Sequence, residues 1–210
     1  MIRTILSQIQ TNLTDLPFVE RYGGVVTAVT RIDEVNEDMY LEQRFPVSCS
    51  VTAIQCFEQG RYQDLVPNDQ YKSIFYFEEV DGMRMTRPDK NGNLQMSGVV
   101  RLVGWLNLPK LGVENTCNIA DQVAFTCVDA LWNSYTLSAP IAGAHCEIKP
   151  IGMRPKSADI FSRYSYKNDS AHLLYPYDYF AFDFDVTLIM RAKCLDSFTP
   201  STEIPCIDLS

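Results

Sequence analysis

The feature that most constrains the fold is a run of strict alternation near the C-terminus, YFAFDFDVTLIMRAKC at 179–194. Every second position carries a large apolar side chain: Phe180, Phe182, Phe184, Val186, Leu188 and Met190. Asp183, Asp185 and Thr187 fall between them. Because successive side chains of a β-strand point to opposite faces, this pattern predicts a strand with one buried and one wet face.

Other segments predict further strands of the same sheet. They are rich in β-branched or aromatic residues, or alternate in polarity, and span 25–32, 46–57, 71–82, 96–108 and 141–151. In 46–57 the alternation places Val47 on the buried face and Ser48 on the wet face. In 96–108 four side chains are expected to face one way: Val100, Leu102, Leu106 and Leu108.

The connections between these strands are also marked in the sequence. Gly23 and Gly24 predict a turn before the first strand, and the acidic stretch 33–42 predicts a solvated loop. Residues 58–71 predict a long loop, and Asp-Lys-Asn-Gly at 89–92 predicts a hairpin turn. The polar stretch 152–178 predicts a long connection of the kind that is usually functional.

Two segments have apolar residues at helical spacing. The first lies at the N-terminus, before Pro17, and contains Ile2, Ile5, Leu6, Ile9 and Leu13. The second spans 115–133, with Asn118 and Asp121 as a cap and an apolar stripe of Ala120, Val123, Ala124, Cys127, Ala130 and Leu131. The element order predicts an α+β fold: an antiparallel β-sheet packed against two amphipathic helices, with long loops.

Length and composition fit one domain. The chain has 210 residues, of which 46% are hydrophobic and 21% charged, which suffices for a core of its own. We find no internal repeat and no change of composition along the chain. The sequence therefore predicts a single α+β domain over 1–194 and an extended C-terminal tail over 195–210.

The charge balance excludes some partners. The net charge is −8 and no run of Lys or Arg occurs, so a positive surface for nucleic acid is not expected. The N-terminus lacks the apolar run of a signal peptide, and no segment approaches the roughly 20 apolar residues that span a bilayer. We expect neither a membrane partner nor secretion by the usual route.

Cysteine usage predicts structural thiols in a reducing compartment. Six of the seven cysteines fall inside or at the ends of predicted elements: Cys49, Cys56, Cys117, Cys127, Cys146 and Cys194. No Cys-x-x-Cys pair occurs and only two His are present, so a zinc site is not expected.

Two groups of side chains could support chemistry. Asp183 and Asp185 share a strand face and could bind a divalent cation or share a proton, but no third carboxylate accompanies them. His145 and Glu147 could act as an acid–base pair, but no G-x-S-x-G motif is present and Cys146 points to the opposite face. We therefore expect no catalytic residues, no metal and no cofactor, and the protein is not expected to be an enzyme.

The segment 163–180 has the composition of a contact surface. Its five tyrosines stand among short polar residues: Tyr164, Tyr166, Tyr175, Tyr177 and Tyr179. An ordered surface loop explains the same composition equally well. Of the two tryptophans, Trp105 is expected in the core, whereas Trp132 fits either the core or a buried interface.

The layout of elements resembles the tail-terminator and head–tail completion proteins of tailed phages. The resemblance rests on an amphipathic helix at 1–19, a strand at 24–32, a second helix at 115–132 and a final alternating strand at 179–193. It extends over most of the chain, with 58–70, 152–178 and the C-terminal tail as insertions. A neck or ring protein of a short-tailed phage fits the same layout.

This resemblance implies a structural virion protein, assembled in the host cytoplasm. It would form a six- or twelve-fold homo-oligomeric ring that contacts other neck and tail proteins and lets DNA pass without specific binding. A net charge of −8 on each subunit would repel phosphate, and Asp183 and Asp185 are the candidates for facing the channel. The five tyrosines are the candidates for subunit contacts, which in a ring are heterologous.

Other functions remain open at this point. A soluble adaptor could bind one partner through the Tyr-rich loop 163–180, and it would be a monomer. A small-ligand-binding domain would need convergent titratable groups, and the sequence offers only the His145–Glu147 and Asp183–Asp185 pairs.

Overall fold

The computed structural model describes residues 6, 12–36, 39–48, 57–58, 61–62, 65–85, 93–113, 118–132, 136–138, 144–165 and 171–190. The strands are β1 (Arg21–Asn36), β2 (Met39–Ser48), β3 (Phe57–Glu58), β4 (Arg61–Tyr62), β5 (Ser73–Met85), β6 (Leu94–Asn107), β7 (Thr136–Ser138), β8 (Ala144–Met153) and β9 (Tyr177–Met190). A helix, α1 (Ile119–Trp132), lies between β6 and β7, and two short 3-10 helices, Ala158–Phe161 and Ala171–Leu173, lie between β8 and β9. The described part of the chain is mostly sheet.

Seven strands form one sheet in the order β2-β1-β5-β6-β9-β8-β7, and β3 pairs with β4 in a separate hairpin. Strand neighbours in the main sheet are antiparallel except β1 and β5, which are parallel. The sheet is therefore mixed, and the prediction of an antiparallel sheet is wrong at this pair. The reason is geometric: β2 returns the chain to the end where β1 began, so β5 starts there and runs in the same direction as β1.

One face of the sheet, called here the helix face, packs against α1. Its buried apolar side chains include the two predicted rows: Val100, Leu102 and Leu106 of β6 with Leu108 just after it, and Phe180, Phe182, Phe184, Val186, Leu188 and Met190 of β9. From α1 come Ala120, Val123, Ala124, Cys127 and Leu131. Packing is tight enough that a Cβ on Gly104 would lie 2.3 Å from Cε1 of Phe180. The buried rows predicted for β6 and β9 are confirmed, and so is the apolar stripe of the helix except at Ala130, which is half-buried and outside this cluster.

The opposite face is covered by the described parts of the connection between β8 and β9, residues 154–165 and 171–176, which we call the strap. Its Ile160, Phe161 and Tyr164 pack on the sheet in a second apolar cluster that includes Trp105. The backbone N–H of Ser165 donates to the carbonyl of Arg44 in the edge strand β2, at 2.8 Å. The strap therefore reaches across the sheet to its far side, and we call the covered face the strap face.

Two predicted connections are in fact parts of strands. Gly23 and Gly24 lie inside β1, where the pairing with β5 shifts register between Tyr22 and Val25, and Gly24 has φ +62°. The glycines accommodate a β-bulge instead of a turn. The acidic stretch 33–42 is also not a loop: β1 continues to Asn36 and β2 begins at Met39, so the two strands form a hairpin.

The strand predicted at 46–57 differs from the structure in extent and phase. β2 ends at Ser48, and residues 49–56 lie outside the described part of the chain. Ser48 is buried and Val47 only half-buried, which is the opposite of the predicted phase. The predicted loop 58–71 contains β4, which pairs with β3.

The helix predicted over 115–133 is present as α1, from Ile119 to Trp132. Near the N-terminus, Leu6 and residues 12–14 are helical, and Leu6 and Leu13 are buried in the helix-face core. The rest of that segment lies outside the described residues, so the second amphipathic helix stays a prediction. The tail over 195–210 is also outside them.

Candidate functional site

A row of charged side chains crosses the centre of the strap face. Glu78 of β5 is paired with Arg101 of β6, and Arg101 is paired with Asp183 of β9. Arg154 and Arg163 of the strap approach the same row. We call these five residues the ionic row. Paired residues of neighbouring strands project to the same side of a sheet. The charged row therefore lies on the strap face, beside its apolar cluster.

Asp183 is the centre of the row's ion pairs. Its Oδ1 accepts from Nε of Arg101 at 2.7 Å, and its Oδ2 accepts from Nε of Arg154 at 2.5 Å. The carboxylate side chain is only 5% exposed. Hydrogen bonding to Asp183 raises the pKa of Arg101, so the guanidinium stays charged. The prediction that Asp183 lies on a wet strand face is therefore wrong, because the strap and two guanidinium groups cover it.

Glu78 is the least solvated member of the row. Its side chain is fully buried, and the side chain of Tyr164 is a hydrogen-bonding neighbour of the carboxylate. The nearest cation is Arg163, whose Nη1 is 3.8 Å from Oε2. Burial raises the pKa of Glu78 above its ordinary value. Sequence reasoning missed this residue, although Ile74 and Tyr76 place it on a buried face of the predicted strand.

The five candidate tyrosines separate into different environments. Tyr164 is buried, with its ring edge-to-face on Tyr76 at 6.2 Å, so it is a core residue and not a contact surface. Tyr179 is half-buried against Phe161, with ring centroids 5.2 Å apart. Tyr166 lies outside the described residues. Among the described tyrosines of this group, Tyr175 is exposed at the end of the strap, and Tyr177 is half-buried at the start of β9.

Tyr177 belongs to an aromatic group that anchors the end of the strap. Its ring stacks on Trp105 at 5.2 Å, and Nε1 of Trp105 donates to the carbonyl of His172 at 2.7 Å. The Tyr177 hydroxyl donates to Asp69, which raises the pKa of Tyr177. Nε2 of His172 lies 3.6 Å from the same carboxylate. Trp105 is thus a core residue, as predicted, while the side chain of Trp132 is outside the described part.

Beside this anchored group, two large apolar side chains project into solvent. Leu174 is 64% exposed and Tyr175 is 72% exposed. They are adjacent in sequence, immediately before Pro176, and we call them the strap tip. Neighbouring exposed apolar residues on an anchored loop are typical of contact sites. In the sequence, only the tyrosine-rich composition pointed to Tyr175 as a contact residue, and nothing pointed to Leu174.

The second chemical candidate is an exposed ion-pair row on β8. Oε2 of Glu147 lies 2.7 Å from Nζ of Lys149, and Oε1 lies 3.4 Å from Nε2 of His145. The hydrogen bond from Lys149 lowers the pKa of Glu147. Cys146 points to the buried helix face, as predicted, and burial raises its pKa to about 11. Asp185 of β9, which is paired with Lys149 of β8, is half-buried.

The remaining candidates concern thiols, metals and membranes. Cys127 and Cys146 are buried free thiols, and the other cysteines lie outside the described residues. Within the described ranges no three His, Cys, Asp or Glu side chains lie close enough to bind a metal ion. No helix in that same part of the chain is long and apolar enough to cross a membrane.

A scan of the chain against protein-family models gives no match, and a search of curated proteins gives no significant match.

Proposed function

We propose that the chain is a structural virion protein that forms part of a homo-oligomeric ring at a phage neck or tail, as a tail terminator or head–tail connector, with DNA passing through the ring. The observation that carries the proposal is the strap tip. Leu174 and Tyr175 expose large apolar area, which a partner surface would remove from water.

The strap tip is suited to a rigid contact. His172 and Tyr177, which flank the tip in sequence, are held by Trp105 and Asp69. The chain on both sides of the tip is therefore fixed to the sheet. An ordered loop loses little conformational freedom on binding, and preorganisation of this kind raises affinity. In a ring, each tip would contact a different surface on the next subunit, since closed rings are built from heterologous contacts.

Charge supports the passage of DNA. Each subunit carries −8, and around a ring this charge would repel the phosphate backbone. Within the chain Asp183 is neutralised by Arg101 and Arg154. Asp185, which is half-buried and outside those ion pairs, is therefore the better candidate for a channel-facing carboxylate.

The test is the mass of the purified full-length chain, measured by light scattering behind a sizing column, with negative-stain images of any heavy peak. We expect a closed ring of six or twelve copies at high concentration. The variant Leu174→Ser/Tyr175→Ser should shift the population toward monomer, because anchor residues at interfaces contribute about 2 kcal/mol or more each.

Phe125→Ser is the matched control, since Phe125 on α1 is 61% exposed but is not part of the strap tip. It should keep the wild-type mass. A chain that stays monomeric and joins no larger assembly would contradict the ring. A monomer that captures one partner through the strap tip would instead indicate the adaptor, and binding of a small molecule would indicate the ligand-binding domain.

A further inference from the structure

The hairpin formed by β1 and β2 continues past the point where β1 is joined to the rest of the main sheet. β1 pairs with β5 only from Arg21 to Val26, whereas its pairing with β2 continues to Asn36. Residues 31–36 and 39–43, which we call the arm, therefore pair only with each other within the described part of the chain. Because a two-stranded ribbon alone is marginally stable in water, the arm would be stabilised by a surface that covers it.

The arm is acidic. Asp33, Glu34 and Glu42 lie at paired positions of its two strands, and Arg31 is the one cationic residue among those that form it. The whole chain carries a net charge of −8, so most of its surface would repel these carboxylates. A surface that binds the arm must therefore offer positive charge.

Two lysines lie at the opposite end of the sheet, where β1 and β5 begin. Nζ of Lys72 donates to the carbonyl of Pro17 at 2.9 Å, and Nζ of Lys110 donates to the carbonyl of Gln70 at 2.7 Å. Both acceptors are neutral, so they fix the positions of the two ammonium groups without neutralising their charge.

Arg21, the first residue of β1, adds a third cation at this end. Its Nη2 donates to the hydroxyl of Tyr71 at 3.2 Å, and its Cζ lies 4.6 Å from the centre of the Tyr71 ring. Two carboxylates of the same end are engaged within the chain. Glu20 accepts from the backbone N–H of Lys72 at 2.5 Å, and Asp69 accepts from a tyrosine hydroxyl of β9.

These cations lie beside the strap tip. The backbone N–H of Leu108 donates to the carbonyl of Pro176 at 3.2 Å, which places the turn that contains Lys110 next to the tip. The backbone N–H of Asn107 donates to the carbonyl of Lys72 at 2.8 Å. The end of the sheet thus combines an exposed apolar tip with a charged border, which is the usual arrangement of a protein–protein interface.

We propose that the arm of one copy docks on the strap-tip end of the next copy, with Asp33 and Glu34 opposite Lys72 and Lys110. The inference rests on the proposed function and names the surface that the strap tip contacts. The two surfaces cannot meet within one chain, because β1 extends for about 40 Å between Arg21 and Asp33. The contact is therefore heterologous, which is the type that closes a ring.

The test is charge reversal on each surface of the full-length chain, with the mass measured by light scattering over a range of protein concentrations. Lys72→Glu/Lys110→Glu and Asp33→Lys/Glu34→Lys bring like charges together. Each should raise the concentration at which the ring is half assembled by at least about tenfold. Lys149→Glu, on the exposed side of β8, is the control and should keep the wild-type value.

A mixture of the two double variants separates loss of the contact from loss of the fold. In an alternating ring every arm would meet a surface of opposite charge, and six and twelve copies both allow alternation. The equimolar mixture should therefore recover the ring, although each variant alone does not form it. A ring that either double variant leaves unchanged overturns the proposal, and so does a mixture of folded variants that stays dissociated.

A second measurement uses the wild-type chain and covers the case in which a variant does not fold. A carbodiimide joins a carboxylate to an amine only where the two are in contact. In the assembled protein it should link Asp33 or Glu34 of one copy to Lys72 or Lys110 of another, as identified by mass spectrometry of the peptides. Links from these carboxylates to other lysines only would overturn the proposal.

Failure of this inference and failure of the proposed function give different results. A wild-type chain that stays monomeric and joins no larger assembly removes the ring and the arm contact together. A ring that dissociates in Leu174→Ser/Tyr175→Ser but is unchanged by both charge reversals keeps the proposed function and rejects the arm as its partner surface.

Discussion

The two faces of the sheet are stabilised in different ways. The helix face is mainly apolar, with Phe75, Phe77, Phe180 and Phe184 among its buried side chains. The strap face begins with an aromatic cluster around Trp105 and ends in the ionic row. On the helix face stability depends on buried area and on the absence of voids. On the strap face, stability also depends on the charge and the orientation of polar side chains, since each buried ion needs its partner.

This difference has consequences for how each face tolerates change. An apolar face accepts another hydrophobic side chain of similar volume, because no specific atom must be paired. The buried pair Arg101–Asp183 of the ionic row does not, because removing one member leaves the other buried without compensation. Three substitutions test the contrast, in order of decreasing effect.

The largest loss is expected for Phe180→Ala on the helix face. Phe180 is fully buried and lies against Gly104 and Phe75, so truncation leaves a cavity that the neighbours cannot close. The free energy of unfolding should fall by about 4 kcal/mol, measured by urea denaturation. Phe125→Ala, on the exposed side of α1, is the control and should change it by less than about 0.5 kcal/mol. Similar losses in both variants would show that the helix face is not the main core.

A somewhat smaller loss is expected for Asp183→Asn. The shape is kept, but Arg101 loses its charged partner in a place where its side chain is only 14% exposed. We expect a loss of about 3 kcal/mol by the same measurement, with little from Arg154, whose side chain is half in water.

The matched variant removes both buried charges, as Arg101→Met/Asp183→Leu. It should recover much of the loss, because an apolar pair of similar volume requires no compensation. A double variant less stable than Asp183→Asn would mean that the ionic row stabilises the strap face outright.

The smallest of the three effects is expected for Trp105→Phe. The ring contact with Tyr177 is largely kept, but the hydrogen bond from Nε1 to the carbonyl of His172 is lost. The loss should be about 1 kcal/mol. Hydrogen exchange near residues 171–173 should accelerate while α1 is unaffected. Equal acceleration in α1 would contradict the view that this bond acts on the strap alone.

The local parts of the fold could be predicted from sequence. The alternation of β9, the row of β6 and the stripe of α1 are periodic patterns that depend only on neighbouring residues. The bulge at Gly23 and Gly24 and the hairpin within 33–42 could not be recognised. These two segments are strands because they pair with a neighbouring strand, and their local composition does not indicate it.

The candidate site was harder to predict from sequence, because its residues are far apart in the chain and meet only in the folded structure. Alternation predicted which side of β9 Asp183 projects to, but not that a connection would cover that side. Composition marked the tyrosines as a group, yet Tyr164 is a core residue and Tyr175 is exposed. Glu78 could be placed on a buried face, but the polar groups around it come from other elements: Tyr164, and the partly engaged Arg101 and Arg163.

The parallel pairing of β1 with β5 bears on the order of folding. The hairpins β1–β2 and β5–β6 each close over a short stretch of chain, whereas β1 meets β5 at only four paired positions far apart in sequence. Bringing β1 and β5 together closes a longer loop, and this costs more chain entropy before stabilising contacts can form. We expect the two hairpins to form first and to dock along this seam late. In pulsed-labelling experiments the amide of Val25, which is paired with β5 and not with β2, should then gain protection after those of β6. Partial opening of the folded chain should then detach the N-terminal hairpin as a unit.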